Sequence, residues 1–110
     1  MKRLIAVLTA VAVVAGLMAI PALAATKTVR LRDNVFAPRS ITIKRNDTIR
    51  FVWAGKNPHN VLTRSRPRGA AKISIGTRSK GTARKRFTTR GTYRLHCSIH
   101  QGMNLTVRVR

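Results

Sequence analysis

Gly91-Thr92-Tyr93-Arg94-Leu95-His96-Cys97-Ser98-Ile99-His100-Gln101-Gly102-Met103 joins two patterns in one short stretch. The first half alternates. Tyr93 and Leu95 face one way and Arg94 and His96 the other, the period-two mark of a half-buried strand. The second half concentrates chemistry: the only cysteine of the chain, then His100, then Met103, each after two intervening residues. A strand that ends at Cys97 and runs into a tight loop can aim those three side chains at one point.

Outward from this stretch the same alternation recurs. Val29 and Leu31 alternate with Arg30 and Arg32, Ile41 and Ile43 with Thr42 and Lys44, and Ile49 and Phe51 with Arg50. Leu105, Val107 and Val109 alternate with Thr106, Arg108 and Arg110. Breakers separate the runs at Ala37-Pro38, Lys44-Arg45-Asn46-Asp47, Gly55-Lys56-Asn57-Pro58, Pro67-Arg68-Gly69, Gly76, Gly81 and Arg90-Gly91. Short strands at this spacing, with no helix beyond a turn or two, predict an all-β protein, an antiparallel sandwich or barrel. The segment Arg64–Lys72, rich in Arg, Pro and Gly, reads as an exposed basic loop.

The remaining donor comes from far upstream. His59 follows Pro58, whose ring fixes the approach of the chain. A thiolate, two imidazoles and a thioether are the donor set of a blue copper site, a trigonal His₂Cys group with a weak axial Met. One cysteine is too few for structural zinc of the usual kind or for an iron–sulfur cluster. Taken singly, Cys97 is an ordinary buried thiol, Met103 core filler and His59 a turn residue; their joint spacing favours copper.

The N-terminus carries a targeting signal. Met1-Lys2-Arg3 is basic, Leu4 to Ile20 is apolar, and Pro21-Ala22-Leu23-Ala24 ends in a small-residue cleavage site. Residues 1–24 are therefore expected to be a cleaved secretory signal peptide and 25–110 the mature domain, exported to a periplasm, the cell surface or the medium; the alternative is a segment retained as an anchor. No cysteine follows the cut, which argues against a lipid anchor, and a single cysteine cannot form an internal disulfide.

The charge is extreme: 23 Lys and Arg against 2 acidic residues, a formal +21. Losing Lys2 and Arg3 with the leader lowers this by two, to +19. The acids are Asp33 and Asp47. Arginine occupies the outward positions of nearly every strand, so the basicity is a shell and not a tail. Such a field favours an acidic redox protein or an anionic surface, whether membrane or cell-wall polyanion. Export and five aromatic residues with no stacking pattern argue against nucleic acid. Two carboxylates leave little room for acid–base hydrolysis, and the expected protein is not an enzyme.

The stretch Gly91–Met103 resembles the C-terminal ligand loop of the cupredoxins, the family of plastocyanin and amicyanin. Phe36-Ala37-Pro38, Ile41-Thr42-Ile43, Asn46-Asp47-Thr48-Ile49 and Pro58-His59-Asn60-Val61 are similar to the family's N-terminal half, so the likeness covers essentially residues 28–110. The two-residue gap between His100 and Met103 resembles amicyanin more than plastocyanin. The resemblance implies an all-β, Greek-key antiparallel sandwich of about seven to eight strands and one type 1 copper ion held by His59, Cys97, His100 and axial Met103. It also implies that Asn60 ties the two ligand-bearing segments together and that His100 passes electrons at the surface.

Three departures stand out. Ile99 replaces a proline, Trp53 stands where a small polar residue is usual, and His96 replaces an aromatic residue. Strand alternation points His96 outward, as a surface residue and not a ligand; Trp53 belongs to the core or the site rim. Where plastocyanins carry an acidic patch, this chain has Arg64-Ser65-Arg66-Pro67-Arg68. The function implied is a monomeric, exported shuttle of single electrons. Competing readings are a copper carrier or storage protein, and a polyanion-binding module on the same scaffold.

Overall fold

The computed structural model describes residues 23–110. The leader expected over residues 1–24 therefore lies, apart from Leu23 and Ala24, outside the described residues.

Among the described residues nine strands follow one another: β1 (Thr26–Arg32), β2 (Val35–Ala37), β3 (Ser40–Ile43), β4 (Thr48–Trp53), β5 (His59–Ser65), β6 (Ser74–Arg78), β7 (Thr82–Arg86), β8 (Gly91–His96) and β9 (Asn104–Val109). They form a four-stranded sheet in the order β2-β1-β4-β7 and a five-stranded sheet in the order β3-β9-β8-β5-β6. The all-β architecture matches the expectation, with two differences. Both sheets are mixed, because β1 pairs with β4 and β3 with β9 in parallel. Side-chain alternation has the same period in either orientation, so it cannot report strand direction. The strand count is also slightly higher. β2 has only three residues, and β7 half-buries Ala83 and Lys85 alone, too little apolar signal to read as strands.

Alternation sorts the residues as the sequence predicts. Val29, Leu31, Ile49, Phe51, Trp53, Tyr93, Leu95, Leu105, Val107 and Val109 are buried between the sheets, while Arg30, Arg32, Arg94 and Arg108 are exposed. Phe51, on a central strand, is fully buried. Phe51→Ala is expected to cost about 3–5 kcal/mol, read as a lower urea midpoint at unchanged slope.

Both acids of the domain accept backbone amides. Asp47 Oδ1 accepts from Ala25 N at 2.8 Å and Oδ2 from Lys44 N at 2.9 Å. Asp33 Oδ1 accepts from Lys56 N at 2.7 Å and Asn57 N at 2.9 Å. Those bonds hold both carboxyls below the usual carboxylate range. Acid is thus used where it anchors chain, and Asp33 fixes the turn that delivers His59.

The basic segment expected at Arg64–Lys72 begins later than the sequence suggests. β5 continues through Ser65, helped by an irregularity in its pairing with β8 between Thr63 and Ser65. The loop proper follows Ser65 and is pinned. Arg66 Nε donates to Ala70 O at 2.8 Å, Ala70 N to Pro67 O at 3.1 Å, and Ala70 is buried. Gly91 (φ 131°) lets Pro67 approach; a Cβ there would meet Pro67 Cγ at 2.6 Å.

Candidate metal centre

His59 opens β5, and the chain there departs from simple alternation. His59, Asn60 and Val61 are all buried, which a regular strand with one inner face does not permit. The pairing of β5 with β6 shifts register between His59 and Val61, an irregularity that turns both His59 and Asn60 inward. Trp53 Nε1 donates to His59 O at 2.9 Å, and the Arg78 guanidinium lies 5.0 Å from the centre of the Trp53 ring. Trp53, 6% exposed, therefore belongs to the core and clamps the backbone of the first histidine.

The second segment leaves β8 at Cys97 and closes on itself. Cys97 N donates to Met103 O at 3.0 Å and Met103 N to His100 O at 3.3 Å. Gly102 supplies the left-handed turn (φ 80°). Cys97 and Met103 are buried, while His100 is partly exposed.

Three donor atoms converge. Nδ1 of His59 and Nδ1 of His100 are 3.1 Å apart, and Cys97 Sγ lies 3.9 Å from the first and 3.5 Å from the second. Donors sharing one ion through bonds of about 2.0–2.3 Å stand roughly 3–4 Å from one another. The spacing thus fits a single metal ion, and a soft thiolate beside two imidazoles fits copper. Burial, aided by the neighbouring His100, holds His59 below the ordinary histidine range. That favours the neutral ring a metal needs.

Asn60 joins the two segments. Its Oδ1 accepts from Ser98 N at 2.9 Å, and its Nδ2 donates to Ser98 Oγ at 2.8 Å and to Thr77 Oγ1 at 3.3 Å. The tie expected of Asn60 is present. Ser98 and Thr77, its partners, were not legible in the sequence, and neither was the Trp53 clamp, because each depends on a register that alternation does not specify.

Residues 24–110 match the family described as copper binding proteins, plastocyanin/azurin family. The chain belongs to it. This cupredoxin is 32% identical to the plastocyanin of Prochlorothrix hollandica over 94% of the chain and 88% of that protein. Its fold is similar to pseudoazurin from Methylobacterium extorquens AM1 (TM-score 0.70, 28% identity, 76% of this chain and 74% of that one). It is also similar to an amicyanin structure (TM-score 0.65, 25% identity, 77% and 82% covered). As a cupredoxin, the protein has one type 1 copper as its cofactor.

His96 sits on the flank of this cupredoxin, half-buried, with Nδ1 3.1 Å from an Arg64 guanidinium nitrogen. It faces away from the donor cluster, as alternation predicts. Burial and the Arg64 charge push its pKa down. On the end of the molecule where His100 surfaces, Ile99 is 50% exposed and offers an apolar contact.

Proposed function

We propose that residues 25–110 form an exported, monomeric carrier of single electrons, with copper held by His59, Cys97, His100 and axial Met103, serving an acidic redox partner. The observation that carries the reading is the burial gradient across the donor cluster: His59 and Cys97 are closed off and His100 reaches the surface. When bound, copper supplies one-electron chemistry between Cu(II) and Cu(I). The chain supplies the rest. The sandwich and the Asn60–Ser98 tie hold the donors in place in advance, which keeps reorganisation small. Buried surroundings exclude water, and His100 gives one short route outward.

Export is supported by the basic, apolar and small-residue pattern of residues 1–24 and by the family match, which begins at residue 24. An acidic partner is supported by the arginine shell and by the use of both carboxylates as backbone anchors.

The test is to add Cu(II) to purified 25–110, record the visible spectrum and then run voltammetry. An intense blue band with one reversible electron is expected. A colourless complex overturns the site, and a blue protein that cannot be cycled favours storage. Asn60→Ala should keep the band but weaken copper binding about 10–100-fold, as expected for a residue that orients ligands; competition against a chelator measures it.

A further inference from the structure

The first residue of the expected mature chain sits on a carboxylate. Ala25 N lies 2.8 Å from Asp47 Oδ1, while Asp47 is only 3% exposed and its other oxygen is held by Lys44 N. Ala25 O in turn accepts from Thr48 N at 2.9 Å, so both ends of the residue are fixed beside β4. A cavity of about 290 Å³, lined by Leu23, Ala24, Asp47 and the basic Lys44, Arg45 and Arg86, receives the chain just before it.

We propose that Asp47 is a built receptor for the α-ammonium group released by cleavage after Ala24, so that processing converts an amide–carboxylate hydrogen bond into an ion pair that locks the start of β1. The inference rests on the export reading above. Peptide-bond hydrolysis leaves the carboxylate on Ala24 and the amine, protonated near neutral pH, on Ala25; water is the co-reactant. Charge makes the placement matter. On a domain of +19 a further cation is repelled almost everywhere, and Lys27, Lys44, Arg45 and Arg86 all stand near this one. Asp47 is one of only two acidic side chains in the chain, and the other, Asp33, is committed to Lys56 and Asn57. The amide bond is already charge-assisted through the Asp47 carboxylate; cleavage ionises the donor as well and adds the Coulomb attraction of a full cation.

The pair depends on pH at both ends. A free α-amino group titrates near about 7.7–8.0, and pairing raises this in the folded chain. The added stability is therefore complete below that range and is lost as pH rises through the raised value. At the acid end Asp47 is held low, so the pair persists above about pH 4 and is lost as Asp47 protonates.

The experiment compares the chain starting at Ala25 with one that keeps Leu23-Ala24, each with Asp47 and with Asp47→Asn. At pH 6 the Ala25 start should melt about 4–8 °C higher, and that difference should vanish in the Asp47→Asn pair and above about pH 10. An NMR titration of ¹⁵N-Ala25 should place the α-amino pKa at least about one unit above 7.7–8.0. An ordinary value, or a melting difference that survives Asp47→Asn, overturns the receptor. The N-terminal sequence of the exported protein separates the two readings: a start other than Ala25 overturns the processing step, while the titration still judges Asp47.

Discussion

Cys97→Ser is expected to remove the blue absorption completely while leaving the apo-protein folded. Cys97 is the only thiol in the chain and 2% exposed. A serine hydroxyl has a similar shape, so the exchange leaves little void. What it cannot supply is a soft thiolate, and the visible band belongs to the copper–thiolate bond. Stability gives an independent readout. Copper at about 1,000 times its Kd would stabilise the folded chain by roughly 4 kcal/mol, raising Tm by about 15–30 °C for a domain of this size. In Cys97→Ser that rise should collapse at the same copper concentration. Met103→Leu is the contrasting case, expected to keep the colour and move the reduction potential, because in the proposed donor set Met103 would be the weak ligand that tunes the site. A blue Cys97→Ser protein would sink the assignment.

The convergence of His59, Cys97 and His100 was legible because its information is largely local. Cys97, His100 and Met103 lie on one loop whose closure needs only Gly102 and two backbone hydrogen bonds, and His59 is marked by the proline before it. The core was legible for the same reason: Val29, Leu31, Phe51, Leu95 and Val107 alternate with residues that water accepts. What escaped was non-local. The parallel contacts of β1 with β4 and β3 with β9 are decided by which sheet each strand joins, which the period does not encode. β6 buries only Ile75 and β7 fully buries nothing; as weakly apolar edge strands they read as loop. The irregularity that turns Asn60 inward needs a partner strand to define it.

Charge reversal of the arginine flank should slow the protein more than any other surface change. Arg64, Arg66 and Arg68 are exposed, and exposed Arg94 pairs through Ser65 on the neighbouring strand. Arg64 touches His96, which immediately precedes Cys97, so this flank is the cationic surface adjacent to the buried donor. At low salt, Arg64→Glu, Arg66→Glu and Arg68→Glu together should cut the second-order electron-transfer rate with an acidic cytochrome about 10–100-fold. The blue spectrum should not change. At 0.1 M salt, where charges are screened over about 10 Å, most of the difference should disappear, and a basic cytochrome should gain where the acidic one loses. Net charge alone would also slow association, so the control moves the same reversal to the other sheet: Arg30→Glu and Arg32→Glu on β1, with Arg84→Glu on β7. Each set removes the same charge from the same molecule. If the flank is the docking surface, the first set slows the reaction several-fold more than the second; equal losses would mean that the arginine shell attracts acidic partners without choosing where they land.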